Sequence, residues 1–245
     1  MPTALINSNQ HYVIYSMGCY ILFSSYFVVD KLLLQKSKKY QDLTEDKRVY
    51  VVSNLLKGIL LGGISPLASM ILYQTMYLDQ WNNNLIRNVG ILYAVPDTVS
   101  LMLVNKMQRT TKIHHMIVTL FNIISIHNDY GQESIVRCMV IYACFSCFAF
   151  IVNLLLGARY LHDNKQIGIF MAKASLYIYV LCCLINWAWH GKYIHTLIDE
   201  CNDRVCQITI PAYCGMIMML AWDDLKLNKW LYKESYTKRR MLKSE

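Results

Sequence analysis

Charge is what this sequence most lacks. Of its 245 residues 16% are charged and 55% belong to the hydrophobic set, whereas a soluble domain carries about 25% charged residues to cover its surface. The deficit excludes an ordinary water-facing surface. Glycine and proline are scarce, at 10 and 4, and there is no internal repeat, low-complexity run or linker long enough to separate domains. The nine cysteines lack the Cys/His spacing of a zinc site, so no metal is expected. Most of them (Cys19, Cys138, Cys144, Cys147, Cys182, Cys183 and Cys214) lie in apolar segments and read as small packing residues. The first apolar segment has no basic flank before it and no small-residue cleavage site after it, so it is expected to be retained as a helix. No Asn-x-Ser/Thr acceptor occurs.

What is present is a series of apolar segments at about 12–29, 50–73, 85–104, 113–127, 135–157, 168–189 and 207–222, most of them near the roughly 17 to 25 residues that span a bilayer. Pro66 and Pro96 fall inside the second and third, where kinks are expected and neighbouring helices must satisfy the freed carbonyls. Lys31, Lys36, Lys38, Lys39, Lys47 and Arg48 lie between the first two segments. Lys106, Arg109 and Lys112 follow the third, Arg159 and Lys165 the fifth, and a run from Lys226 to Lys243 the last. The alternate connections are poorer, holding Arg87, Arg137, Lys192 and Arg204. Basic residues gather on the cytosolic side of short loops. Seven spans, with the N-terminus lumenal or extracellular and the C-terminus cytosolic, satisfy this at every connection. The net charge of +8 therefore marks cytosolic loops, and nucleic acid is not an expected partner.

Polar residues inside these segments are the candidate site. A carboxylate at Asp97 is costly in hydrocarbon and needs neutralisation, a partner or a wet cavity; Lys57 is a candidate partner. The fourth segment opens with His114-His115, and His115, Thr119, Asn122 and Ser125 fall on one helical face. Adjacent helical residues point about 100° apart, so the two imidazoles can serve different partners. Ser175, Tyr179, Cys182, Asn186 and His190 repeat the pattern in the sixth segment, with Trp187 and Trp189 as interface anchors. Gly58 and Gly62 have a small-xxx-small spacing that predicts close helix packing inside the monomer, with a homo-oligomer as the alternative. Cys201 and Cys206 lie in a loop assigned outside the cytosol, where a disulfide is chemically allowed.

Gly90-Ile91-Leu92-Tyr93-Ala94-Val95-Pro96-Asp97 followed by His114-His115 resembles the TLC domain family, which includes TRAM-like proteins and ceramide synthases. Arg48-Val49-Tyr50-Val51-Val52-Ser53 and Phe148-Ala149-Phe150-Ile151-Val152-Asn153 are similar to other family segments, so the resemblance covers residues 48–228. It implies an all-α multi-pass bundle, a six-helix TLC-like barrel with an extra N-terminal helix. The domains would be 1–47 (helix and basic cytosolic loop), 48–228 (TLC-like unit) and 229–245 (basic cytosolic tail). Lipid would contact Asp97, His114, His115, Thr119, Asn122, Asn153 and Asn186, in the endoplasmic reticulum or another endomembrane. Ceramide synthases carry a His-Asp pair and a further Asp nearly thirty residues after their His-His; the corresponding stretch here, Ile141–Ser146, has no acid and no His, and His162-Asp163 lies well beyond that spacing.

The leading expectation is thus a protein that binds membrane lipids in an intramembrane cavity and influences lipid composition, sensing or trafficking, without a cofactor. The alternative is a lipid N-acyltransferase using acyl-CoA, with His114 or His115 as base and Asp97 as partner. A transporter or receptor of another family is the third reading.

Overall fold

A computed structural model of the chain describes residues 8–162, 164–201 and 204–244. Residues 1–7, which the topology above places outside the cytosol, and Asp163 of the His162-Asp163 pair lie outside the described residues. Among those described the chain is all-helical, in the order α1 (Ser8–Lys36), α2 (Lys38–Gln41), α3 (Glu45–Tyr77), α4 (Asn83–Leu103), α5 (Arg109–His127), α6 (Val136–Cys147), α7 (Phe150–Ala158), α8 (Lys165–Asp199) and α9 (Arg204–Ser244). Each apolar segment of the sequence falls within one helix to within a residue, except 135–157, which is divided between α6 and α7.

By length and composition, α1, α3, α8 and α9 can each cross a membrane, and α6 with α7 makes a fifth crossing if that pair, bent by 46°, is one span. Their outward residues are apolar: Tyr20 and Phe27 on α1, Ile59 on α3, Phe170 and Leu184 on α8 and Met218 on α9 are all exposed. Exposed apolar surface on this scale is what a lipid-facing bundle presents.

The prolines do not end their helices, since α3 runs through Pro66 and α4 through Pro96. The bend between α6 and α7 falls at Phe148-Ala149 instead. There the amides of Phe148 and Ala149 reach back only three residues, to the carbonyls of Phe145 at 3.2 Å and Ser146 at 3.0 Å. This tightening turns the chain without a proline. The helix also extends through 229–244 as part of α9.

Helix ends are set locally. The side chain of Asn82 accepts from the amide of Leu85 at 3.1 Å, and that of Asn164 from Gln166 and Ile167 at 3.1 and 3.2 Å, satisfying amides that would otherwise lack a partner. Glu45 and Asp46 occupy the first turn of α3, where the helix dipole favours negative charge.

The tightest seam joins α3 to α7. A Cβ on Gly58 would lie 2.8 Å from the side chain of Leu154 and 3.0 Å from its backbone nitrogen, and one on Gly157 would lie 2.8 Å from Leu55. A Cβ on Gly62 would lie 3.3 Å from the Phe150 ring. The glycine spacing on α3 is therefore spent within the monomer. On the other side α1 packs against α4, with Gly18 against Val95 and the Tyr15 hydroxyl 2.5 Å from that of Thr98. Cys144 and Cys147, a Cys-x-x-Cys spacing on α6, are buried free thiols inside the α3–α4–α6 core. Cys201 and Cys206 form a disulfide across the α8–α9 connection, with Cα atoms 5.8 Å apart.

Candidate functional site

A cavity of about 680 Å³ lies within the bundle, in the range of small-molecule sites. Among the described residues its walls come from α3 to α9 and the connections between them, and none from α1. Its lining includes four basic residues, Lys47 in the first turn of α3, Lys106 after α4, Arg159 after α7 and Lys226 on α9. The deep part is formed by Lys57, Tyr93, His114, His115, Tyr142 and Tyr179.

Two charge clusters meet at the deep wall. In the first, the ammonium of Lys57 on α3 donates to Asp97 Oδ1 on α4, and Nδ1 of His115 on α5 lies 2.7 Å from the same oxygen. The Asp97 side chain is fully buried, so the carboxylate sits behind the cavity wall and reaches it only through its partners. Burying a carboxylate is costly unless it is paired, and two basic groups converge on this one. In the second, Nδ1 of His114 lies 3.4 Å from Asp223 Oδ2 on α9. The next residue, Asp224, accepts from the Tyr179 hydroxyl on α8 at 2.6 Å. The adjacent histidines thus turn to two different carboxylates, as their 100° divergence allows. Each has its Nδ1 within ion-pair distance of an acid, although neither contact has the geometry of a hydrogen bond.

The remaining sequence candidates are dispersed. Asn153 lines the same cavity, its amide donating to the Ala149 carbonyl at 3.1 Å. Thr119 does not; its hydroxyl is 3.0 Å from that of Thr98, which joins α5 to α4 and, through Tyr15, to α1. Asn122 lines a separate small cavity. Asn186 is buried beside His190, whose rings' neighbours are Tyr213 and Trp187, and it lines neither cavity.

Asp223 and Asp224 escaped the sequence reading. They begin one residue past the last apolar segment, where an acid reads as solvated, yet Asp224 is buried and Asp223 nearly so. Their adjacency at the end of a span was the available signal. The stretch Ile141–Ser146 has no acid, but α9 brings Asp223 beside His114 and Asp224 against Tyr179. Among the described residues no group of three His, Cys, Asp or Glu side chains is arranged to hold a metal ion.

No known family model, no curated protein and no solved structure matches the chain. The site must be read from its own chemistry.

Proposed function

We propose that this chain is a seven-span endomembrane protein that takes an acyl lipid into the cavity and performs acyl transfer on it at His114 and His115. The observation that carries the proposal is the pairing of both cavity-lining histidines with carboxylates, His115 with Asp97 at 2.7 Å and His114 with Asp223 at 3.4 Å. An imidazole oriented by a carboxylate is the usual general base. In this reading His114 takes a proton through Nε2 from the acceptor's amine or hydroxyl as that atom attacks the acyl carbonyl, then returns it to the leaving group. Asp223 and Asp97, each standing near an Nδ1, would favour the tautomer that leaves Nε2 free once those contacts align as hydrogen bonds.

The seven crossings rest on several supports. The helices α4 and α5, with 21 and 19 residues, are about 30 Å long at 1.5 Å per residue, which matches the hydrocarbon core. Their polar composition fits enclosure by other helices, since α4 buries Arg87, Asp97 and Ser100 among its apolar residues. The basic residues of alternate connections, Lys47, Lys106, Arg159 and Lys226, line one cavity, which suits a shared cytosolic side. The disulfide at Cys201–Cys206 suits a loop on the oxidising side. The placement of α1 outside the cavity wall is in keeping with a TLC-like barrel plus an extra helix.

A second reading, lipid binding that influences membrane composition without catalysis, is favoured by one feature. Asp97 is held by Lys57 as well as by His115, an arrangement that also suits a fixed structural ion pair. The two readings separate in an assay of purified protein given a radiolabelled long-chain acyl-CoA and a total membrane lipid extract. New acylated lipid, reduced about 10²- to 10⁴-fold by His114→Ala, supports transfer; acyl-CoA left intact by a protein that still retains lipid supports binding alone.

A further inference from the structure

Beyond the main cavity lies a second, smaller one of about 40 Å³, and Tyr93 and Tyr142 are the two residues that line both. Its walls are apolar: Ile86 and Val89 from α4, Val118 and Phe121 from α5, Val140 and Ala143 from α6. Its far end is polar. There Ser125 and Tyr130 join their hydroxyls at 2.6 Å, and the amide of Asn122 is buried with neither its oxygen nor its nitrogen hydrogen-bonded. The Tyr142 ring lies 6.3 Å from that of His114, so the second cavity begins one aromatic ring beyond the proposed reacting centre.

We infer that Tyr93 and Tyr142 are the threshold of an acyl-chain channel and that the small cavity measures chain length, with Asn122, Ser125 and Tyr130 as its stop. This rests on the reading that the main cavity takes an acyl lipid. The register follows from α5, which carries His114 and His115, then Val118 and Phe121, then Asn122 and Ser125 in succession. From His115 to Asn122 the helix advances about 10 Å at 1.5 Å per residue, so a chain whose carbonyl stands at the histidines meets apolar wall first and an amide last. Each methylene that lies against Val118, Phe121 and Val140 gains burial. A further methylene pressed on Asn122 would meet a buried, unpaired amide in place of apolar wall and would gain nothing there. An apolar wall ending in a polar floor selects a length rather than merely an apolar tail.

The test is mass spectrometry of lipids retained by the full-length protein in mild detergent, comparing wild type, Ala143→Phe and Val118→Ala. The first substitution fills the small cavity and the second widens it. Expected is a wild-type chain-length distribution narrower than that of the host membrane, shifted shorter by Ala143→Phe and longer by Val118→Ala. The relative abundance of neighbouring lengths should change about fourfold per methylene. Lipid retained by all three proteins with one unchanged distribution overturns the channel and leaves the lipid-binding reading standing. Wild-type protein that retains no acyl lipid above the bulk membrane overturns both. If Ala143→Phe does not fold, Val118→Ala alone decides by the sign of its shift.

Discussion

Nδ1 of His115 stands 2.7 Å from the carboxylate oxygen of Asp97 to which Lys57 also donates. One buried acid thus ties α3, α4 and α5 together at the floor of the cavity. Fold and proposed chemistry share that atom, so substitutions there are expected to act on both.

Asp97→Asn leaves Lys57 facing a neutral amide at a side chain only 14% exposed. Breaking a buried pair on one side costs about 3–5 kcal/mol, because the remaining charge is left unpaired. The double variant Asp97→Asn with Lys57→Met removes both charges and is expected to recover most of that loss. Thermal unfolding in detergent measures it; equal destabilisation of the single and double variants would show that Lys57 is not the partner that matters.

At the α3–α7 seam, Gly58→Ala places a methyl 2.8 Å from Leu154 with backbone close behind it. Overpacking of this kind costs about 1–3 kcal/mol. Gly63→Ala, on the same helix with nothing within 4 Å of its Cβ, is the control and is expected to be neutral or stabilising by up to about 1 kcal/mol. A fall in melting temperature for the first and none for the second is the predicted pattern.

Orientation is checked by glycosylation and thiol labelling. An Asn-x-Thr acceptor introduced before α1 is expected to be glycosylated and one after α9 is not. Cys201 and Cys206 are expected to resist alkylation until the protein is reduced. The reverse glycosylation pattern would overturn the seven-span arrangement.

Asp129, in the connection between α5 and α6, has its carboxyl held below the ordinary carboxylate value of 3.8, first by the Asn83 amide and then by the backbone amide of Gly131. A lowered folded-state value means that its stabilising contribution is present above the unfolded value and is lost as pH falls through the lowered one. Melting temperature is therefore expected to owe nothing to Asp129 titration near neutrality. Asp129→Asn should reduce the acid sensitivity that remains below the carboxylate range, an effect kept small by the group's exposure.

Much of this architecture was legible in the sequence. Apolar runs between basic clusters located the helices, the lone acid in the third run pointed to Lys57, and Gly58 with Gly62 announced a close seam. Those signals are local, carried by hydropathy, spacing and the cost of an unpaired charge in hydrocarbon. The site was legible by half. His114 and His115 stood out because imidazoles are rare at the head of an apolar helix, but Asp223 and Asp224 did not, since acids just past a span normally meet water. Only the packing of α9 against α5 and α8 sets Asp223 beside His114 and Asp224 against Tyr179. Thr119 and Asn122 share a face with His115, yet a helix face is wider than one cavity. Thr119 is drawn into a hydroxyl chain with Thr98 and Tyr15, and Asn122 sits beyond the tyrosines. The bend at Phe148-Ala149 had no proline to mark it.

The central claim is that His114 and Asp223 act on an acyl lipid held in the cavity. The most direct measurement is mass spectrometry of lipids co-purifying in mild detergent with wild type and with His114→Ala, His115→Ala, Asp97→Ala and Asp223→Asn, each checked for folding by its melting transition. The account predicts a defined acyl lipid or acyl-thioester on the wild type that is lost from His114→Ala and Asp223→Asn while both remain folded. Only bulk membrane lipids, the same in every variant, would contradict it and make these residues structural.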